Sequence, residues 1–283
     1  MKSGKFFLIN IVILVILFKV NSSTSKLEPF VRGFWCSDET IRYPSQHETV
    51  GAKQLFFIVI LLPIAIISTS ELIAAKHQWP SNLKGLNGNI DQTSSQTASL
   101  IYNIGMVTIS WLYCLFLNAL VTEYIKISVG RLRPTFYHGC RPNISCENPI
   151  NQGVYLTNFS CSVDLKAENY LRVSFPSGHT SYSASSMVFL IIYLTKRFSN
   201  CDGRVNHWKY QITFLQIILF LTCISIGVSR VAGNVHHWED VLAGLLIGSI
   251  ITIFCTFIWD RIEKEVVQDE KLDENRCFDF LRA

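Results

Sequence analysis

The chain has 283 residues, of which 49% are hydrophobic and 16% charged, with a formal net charge of +4. Its apolar residues are gathered into long runs, which is typical of helices surrounded by lipid. This composition excludes an ordinary soluble domain. Because no basic cluster is interleaved with aromatic residues, it also excludes nucleic acid as a partner.

Apolar segments predict an all-α fold, a polytopic membrane protein with a six-transmembrane-helix bundle in one domain over residues 1–283. Several segments are shorter than the roughly 20 residues that cross a bilayer, so their ends must extend into flanking polar residues. The sequence GLLIG at Gly244 to Gly248 has the small-xxx-small spacing of closely packed helices. In chain order the segments lie near Phe6 to Val20, Leu55 to Ser70, Ala98 to Val121, Thr180 to Leu194, Ile212 to Val228 and Val241 to Trp259.

The first segment is either a membrane helix or a cleaved signal peptide, because Lys2 and Lys5 precede a short apolar run. Both alternatives place the segments 21–54, 123–179 and 229–240 on one face of the membrane. We expect a short cytosolic N-terminus at 1–5, an outer loop at 123–179 and a cytosolic tail at 260–283.

The outer loop carries two glycosylation sequons, at Asn143 and Asn158. Because acceptor asparagines are modified in the lumen, these sequons favour an extracellular or lumenal position for the loop. Four cysteines of the same face either form two disulfide bridges or remain unpaired thiols: Cys36, Cys140, Cys146 and Cys161.

The first polar cluster, KISVGRLRP, follows the third apolar segment and contains Lys126, Arg131 and Arg133. Basic residues at the end of a membrane helix are often anchors at the headgroup level. By itself, this cluster does not distinguish an anchor from an anion-binding site.

The second cluster, SFPSGHTSYSASS, opens the fourth segment with a turn at Pro176, Ser177 and Gly178. The free backbone N–H groups and the positive dipole end of a helix N-terminus suit a phosphate oxygen. An ordinary helix start with Ser177 as its cap is the alternative. His179 favours catalysis, because an imidazole can transfer a proton.

The third cluster, SRVAGNVHHWED, precedes the sixth segment. If the helix begins by His236, then His236 and Asp240 are i, i+4 neighbours, and the carboxylate holds one ring nitrogen. The other nitrogen is then free to attack a substrate, as in hydrolytic triads. His237 lies three residues from Asp240, so spacing alone does not separate the two histidines.

All three clusters fall at helix ends on one face, where they can meet. The cations Lys126, Arg133 and Arg230 outweigh the acids Glu239 and Asp240, so the pocket suits an anion better than a divalent metal ion. We therefore expect neither a metal nor a cofactor. Cations, a helix N-terminus and two histidines around one anion predict phosphoryl transfer through a covalent intermediate.

The clusters resemble the pattern Lys-x6-Arg-Pro, Pro-Ser-Gly-His and Ser-Arg-x5-His-x3-Asp of the phosphatidic acid phosphatase type 2 superfamily. The stretches RGFWCSDETIRYP and HHWEDVLAG look like its lipid phosphate phosphatase branch. This resemblance implies a metal-independent membrane phosphatase with a phosphohistidine intermediate at the extracellular or lumenal face. The implied substrates are phosphatidate, lysophosphatidate, sphingosine 1-phosphate and ceramide 1-phosphate.

The same resemblance implies a role for each motif residue. His236, selected over His237 by the motif count, would be the nucleophile, and Asp240 its orienting partner. His179 would protonate the departing alcohol and then deprotonate water. The phosphoryl oxygens would be held by Lys126, Arg133, Ser177, Gly178 and Arg230.

The chain departs from the family pattern at Thr135, where many animal members carry histidine, and at Asn234 and Val235, which replace a polar and a basic residue. These departures leave the lipid preference open. Two alternatives are a lipid phosphotransferase or sugar phosphatase of the same superfamily, and a non-catalytic membrane interaction protein.

The implied partners are lipid phosphate substrates and membrane lipids, with homo-oligomerisation left open. We expect a glycoprotein of the plasma membrane with a part in lipid signal transduction, and internal membranes are the alternative.

Overall fold

The computed structural model describes residues 2–82, 90–199 and 206–280, and most of these residues are helical. The mostly helical fold class is confirmed. The long helices form a bundle, and short elements cover one of its ends. The bundle helices are α1 (Lys2–Thr24), α2 (Ala52–Phe56), α3 (Leu62–Asn82), α4 (Ile90–Val129), α7 (Gly178–Ser199), α8 (Asn206–Ala232) and α9 (Trp238–Phe280). A single π-helical turn, Phe57–Leu61, joins α2 to α3.

Within the described ranges, five helical stretches are long and apolar enough to cross a membrane, as expected of an integral membrane protein. They are Phe7–Thr24, Ala52–Lys76, Gln96–Val129, Lys209–Ala232 and Trp238–Ile262. The expected fourth span, Thr180 to Leu194, lies inside α7, which is not among these five. Five of the six expected spans are therefore found, and the sixth stays a prediction.

The serines of helix α7 lower its hydropathy, and they lie on a face that contacts protein. It packs against α4, α8 and α9, and Ser181 and Ser185 are fully buried. The Ser181 hydroxyl donates to Oδ1 of Asn118 at 2.8 Å, and the Ser185 hydroxyl shares a 2.8 Å hydrogen bond with Thr252. Small polar side chains of this kind join membrane helices through interhelical hydrogen bonds.

Helices α7 and α9 pack closely at the two glycines of GLLIG. A Cβ atom at Gly244 would lie 2.5 Å from the carbonyl oxygen of Ser177, and one at Gly248 would collide with the carbonyl oxygen of Ser181. The packing role predicted for this spacing is confirmed, because any larger residue would separate the two backbones.

Helix α1 packs along α4. The Asn21 amide donates to the carbonyl of Phe116 at 3.0 Å, and the Tyr113 hydroxyl donates to the carbonyl of Asn10 at 3.3 Å. Helix α4 continues past Glu123 to Val129, so the first residues of the expected outer loop are helical.

The short elements form a small layer over one end of the bundle. Strand β1 (Phe34–Trp35) pairs with β2 (Tyr155–Leu156) in antiparallel register, and the helices α5 (Phe136–Cys140) and α6 (Leu165–Leu171) lie in the same layer. An apolar cluster around the buried residues Phe34 and Phe136 forms its core. Two regions expected on one membrane face are thus in direct contact.

Two disulfide bridges hold this layer, Cys36–Cys146 and Cys140–Cys161. The first bridge joins the segment after α1 to the outer loop, and the second joins two parts of the loop that are 21 residues apart in sequence. The sequence left open whether these cysteines pair, and the structure pairs all four. Asn143 and Asn158 are exposed in the same layer, accessible to a glycosylating enzyme.

Candidate active site

The first cluster begins where α4 ends. Gly130 has a positive φ of 57°, and its N–H donates to the carbonyl of Lys126 at 3.0 Å, which is the usual glycine stop of a helix. A Cβ at Gly130 would also collide with the backbone of Phe30. The chain therefore leaves the helix here, with Lys126 in its last turn and Arg131 and Arg133 beyond it.

Lys126 lies against the start of α7. Its ammonium donates to Oε1 of Glu123 at 2.7 Å, and a Cβ at Gly178 would lie 2.7 Å from its Nζ. The same Glu123 oxygen accepts from the hydroxyl of Tyr182 at 2.7 Å. The absence of a side chain at Gly178 therefore lets the ammonium reach the N-terminal backbone of α7.

The second cluster is bonded to the third through their backbones. The N–H of Ser177 donates to the carbonyl of Asp240 at 2.8 Å, and the Thr180 hydroxyl donates to the Ser177 hydroxyl at 3.1 Å. Helix α7 begins at the next residue, Gly178. His179 lies in its first turn, and its buried Nε2 has no hydrogen-bond partner among the residues described.

The third cluster is a tight loop between α8 and α9. Asn234 has a positive φ of 55°, and the N–H groups of Val235 and His236 both donate to the carbonyl of Arg230. Helix α9 begins at Trp238, two residues later than the spacing argument assumed, so His236 lies before the helix. The reason is a cap, since the N–H of His237 donates to Oδ2 of Asp240 at 2.9 Å.

Asp240 is fully buried and collects several donors. Its Oδ1 accepts from Arg131 at 2.7 Å, and its Oδ2 accepts from the hydroxyl of Ser174 at 2.6 Å. The same Oδ2 lies 3.7 Å from Nδ1 of His236 and 3.2 Å from Nδ1 of His237. Because ionised donors and short hydrogen bonds hold the carboxylate, its position in the pocket is fixed.

His236 presents its other ring nitrogen to a cation. Nε2 lies 3.5 Å from Nη1 of Arg133, and an arginine can only donate. Nε2 is therefore the unprotonated nitrogen, and the proton lies on Nδ1, which faces Asp240. Burial lowers the pKa of His236 to about 3, so the ring is neutral at physiological pH.

Arg133 is held in place by backbone carbonyls. Its Nε donates to the carbonyl of Tyr170 at 2.7 Å, its Nη1 donates to the carbonyl of Val235 at 3.0 Å, and its guanidinium stacks 3.9 Å from the centre of the Tyr170 ring. Burial lowers the pKa of Arg133, while the carboxylates of Glu48 and Asp240 oppose this effect. A rigid, desolvated cation results, suited to an anionic ligand.

Arg230 is the most enclosed of the cations, with no exposed surface. Its Nη1 donates to Oε2 of Glu48 at 3.3 Å, and its Nη2 has no partner among the described residues. A buried guanidinium with an unused donor is costly unless an anion completes its hydrogen bonds. Arg230 therefore fits a phosphoryl oxygen.

The predicted residues of all three clusters meet at one end of the bundle: Lys126, Arg133, Ser177, Gly178, His179, Arg230, His236 and Asp240. The structure adds Ser174 and Arg131 as donors to Asp240, and Glu48 as a partner of Arg230. Arg131 is part of the first cluster, and its charge was a signal for this role. Ser174 opens the second cluster, but nothing in its spacing indicated a contact with Asp240, and Glu48 lies outside all three clusters. Their contacts join residues 66 and 182 positions apart.

Comparisons with known proteins agree with this geometry. The PAP2 superfamily model matches residues 107–264, which contain all three clusters. A provisionally named phosphatidate phosphatase of Drosophila melanogaster is 32% identical over 252 residues, 84% of this chain and 64% of the relative. Phospholipid phosphatase 1 of Rattus norvegicus is 33% identical over 230 residues, covering 81% of this chain and 76% of the relative.

Phospholipid phosphatase 2 of Rattus norvegicus is 28% identical over 226 residues, covering 79% of this chain and 74% of the relative. No solved structure matches the chain. The chain belongs to the PAP2 superfamily, and these relatives support a phosphatase enzyme of the lipid phosphate class.

Proposed function

We propose that this protein hydrolyses the phosphomonoester of lipid phosphates through a phosphohistidine at His236, without a metal ion. The observation that carries the proposal is the position of Nε2 of His236, unprotonated and 3.5 Å from Nη1 of Arg133. The neutral ring can attack phosphorus, and the adjacent cation offsets the negative charge of the phosphoryl group that would otherwise repel a nucleophile.

In the first step, Nε2 of His236 attacks phosphorus and the bond from phosphorus to the lipid oxygen breaks. Burial and Arg230 lower the pKa of His179 to about 4 in the free protein, and the negative charge of the bound phosphate opposes this shift. In the complex the protonated His179 donates a proton to the departing alkoxide, and a lipid alcohol leaves. The Asp240 carboxylate accepts the hydrogen bond of the Nδ1 proton and stabilises the charge that the ring acquires. For this hydrogen bond the present distance of 3.7 Å must shorten.

In the second step, the neutral His179 takes a proton from water. The resulting hydroxide attacks phosphorus and the bond to Nε2 breaks, which releases inorganic phosphate and restores both histidines. Throughout, the transferred oxygens are held by Lys126, Arg133, Arg230 and the turn at Ser177 and Gly178. These groups supply positive charge and N–H donors, which are the main needs of phosphoryl transfer.

We also propose a six-span topology with this site on the extracellular or lumenal face. The two disulfide bridges and the exposed Asn143 and Asn158 lie in the layer that covers the site, and disulfides persist in oxidising compartments. The plasma membrane is the proposed location. Deglycosylation should shift the protein on a gel, and the shift should vanish when both asparagines are replaced.

The proposal is tested with purified protein and phosphate-labelled phosphatidate in mixed micelles containing excess chelator. We expect release of inorganic phosphate. Rapid quenching under alkaline conditions should trap a phosphate label on the protein that is stable to alkali and labile to acid. His236→Asn should form no labelled protein. Complete dependence on added magnesium would contradict the mechanism.

The same assay separates the alternatives. A phosphotransferase would release little inorganic phosphate until an alcohol acceptor was added. A non-catalytic interaction protein would bind lipid phosphates without turnover, and His236→Asn would leave its cellular effect intact. Assaying a panel of lipid phosphates would then rank the substrates.

A further inference from the structure

An outer segment that belongs to none of the three clusters lies at the entrance of the pocket. This entrance segment, residues 43–50, connects the disulfide-bonded layer to α2. The N–H of Tyr43 donates to the carbonyl of Pro134 at 2.9 Å, and the Asn234 amide donates to the carbonyl of Pro44 at 3.1 Å. The entrance segment is thus bonded to both the first and the third cluster.

The entrance segment places one carboxylate on the phosphate-binding cation. Oε2 of Glu48 lies 3.3 Å from Nη1 of Arg230, and Oε1 of Glu48 accepts from the hydroxyl of Tyr170 at 3.3 Å. The side chain of Glu48 is 38% exposed, whereas that of Arg230 is 0% exposed. Glu48 therefore approaches the buried cation from the solvent side, the side from which a phosphate must also enter.

The other cations of the pocket have firmer partners. Lys126 is paired with Glu123 at 2.7 Å, and Arg131 with Asp240 at 2.7 Å. Contacts of this length are typical of strong charge-assisted hydrogen bonds, whereas 3.3 Å is longer than that range. The contact of Glu48 with Arg230 is accordingly the one that an incoming anion replaces most easily.

We propose that Glu48 competes with phosphate for Arg230 and so weakens the binding of free inorganic phosphate in the pocket. The proposal rests on the proposed function of the site. A carboxylate presents two oxygens to a guanidinium as a phosphate does, so a free anion must displace Glu48 before it can bind. A lipid phosphate has additional binding energy from its membrane-embedded chains, and inorganic phosphate has none. Glu48 therefore limits occupancy of the pocket by the free product at concentrations where a lipid substrate, held by its chains, still binds.

The test compares Glu48→Gln with the wild type in two measurements, inhibition of lipid hydrolysis by inorganic phosphate and the rise in unfolding temperature that inorganic phosphate causes. The variant keeps the shape of the side chain and removes its charge. We expect roughly a five-fold lower inhibition constant, consistent with a partly exposed ion pair, and a larger rise in unfolding temperature. The difference should shrink at high salt.

Glu39→Gln is the matched control. Glu39 is an exposed acid of the disulfide-bonded layer, and within the described ranges it forms no ion pair with a pocket cation. Its variant should bind inorganic phosphate as the wild type does. Tyr170→Phe removes only the hydroxyl contact of Glu48, and it should lower the inhibition constant by a smaller factor in the same direction.

Unchanged or weaker binding of inorganic phosphate by folded Glu48→Gln would overturn the proposal, because Glu48 would then serve only to position Arg230. If Glu48→Gln does not fold, the Tyr170→Phe result decides in the same way. A wild type that releases no phosphate from phosphatidate would instead refute the proposed function. The unfolding measurement would still show whether Glu48 excludes phosphate.

Discussion

Asp240 lies closer to His237 than to His236: its Oδ2 is 3.2 Å from Nδ1 of His237 and 3.7 Å from Nδ1 of His236. The shorter distance follows from the cap of α9, because the backbone N–H of His237 donates to the same oxygen. The carboxylate therefore fixes the start of the helix through one histidine and faces the ring of the other. Proximity to the acid does not identify the nucleophile.

Arg133 distinguishes His236 from His237 as the nucleophile, because its guanidinium approaches Nε2 of His236. We predict that His236→Asn abolishes both turnover and the trapped phosphoenzyme. His237→Asn should retain the phosphoenzyme and lose about ten-fold or less in kcat, since it perturbs only the surroundings of Asp240. Rapid-quench labelling of both variants is the measurement. A phosphoenzyme that survives in His236→Asn and disappears in His237→Asn would reverse the assignment.

Ser174 is predicted to be a positioning residue that acts through Asp240. Its hydroxyl donates to Oδ2 of the carboxylate at 2.6 Å in a fully buried setting. Removing one donor from a buried carboxylate costs about 1.5–3 kcal/mol, so Ser174→Ala should lower kcat about ten-fold or more with a smaller change in KM. Ser174→Thr, which keeps the hydroxyl, should recover part of the rate.

Ser183→Ala is the matched control for this prediction, because Ser183 is also fully buried but its hydroxyl donates to the backbone carbonyl of Thr180. Its kcat should stay near that of the wild type. Equal losses in the two alanine variants would show that the effect of Ser174 is general destabilisation. A fall in KM alone would likewise contradict a positioning role.

The helices and the three clusters could be predicted from sequence because their signals are local. Apolar runs predicted six segments, five of which are found as candidate spans, and the turn at Pro176 to Gly178 predicted a helix start close to where α7 begins. Helix α7, predicted as the fourth segment, is not among the five candidate spans because its serines, which are buried against other helices, lower its hydropathy. The glycine spacing at Gly244 and Gly248 predicted a close contact without naming its partner.

The remaining features depend on contacts between distant parts of the chain. Four cysteines allow three pairings, and spacing does not choose among them. The contact of Ser174 with Asp240 depends on how the loop before α7 folds against α9. The contact of Glu48 with Arg230 depends on the position of the entrance segment. The later start of α9 had a similar cause, since the capping contact of Asp240 competes with a helix that begins at His236.

Gly244 is predicted to be intolerant of a side chain. Glycine to alanine inside a helix usually gains about 0.5–1 kcal/mol of stability. Here the added Cβ would lie 2.5 Å from the carbonyl oxygen of Ser177, a backbone atom that cannot move aside without shifting the turn. Gly244→Ala should therefore lower both the unfolding temperature and the rate of phosphatidate hydrolysis.

Gly105→Ala is the control for this prediction, because its Cβ would meet the ring of Phe7 at 3.0 Å, the end of a side chain that can rotate. Activity of Gly105→Ala should stay close to that of the wild type. If Gly244→Ala raises the unfolding temperature and keeps full activity, the contact between α7 and α9 is not limiting. Fluorescence-detected unfolding and the phosphate-release assay measure the two properties.

The buried neutral ring of His236 predicts a specific loss of stability in acid. Its side chain is 2% exposed, and burial lowers its pKa to about 3, against about 6.5 for histidine in an unfolded chain. Between these two values the unfolded state binds a proton that the folded state does not. The contribution of the neutral ring to stability is therefore fully present above pH ~6.5. Below this value it decreases as the pH is lowered, by up to about 1.4 kcal/mol per pH unit.

His236→Asn removes this difference in proton binding, so its unfolding temperature should fall less than that of the wild type between pH 7.5 and pH 5. The comparison needs only purified protein in detergent and tryptophan fluorescence, and it does not depend on turnover. His138→Asn, at an exposed histidine of α5, should follow the wild type. A parallel fall in all three proteins would mean that folding does not lower the pKa of His236, which would contradict the buried, desolvated ring described here.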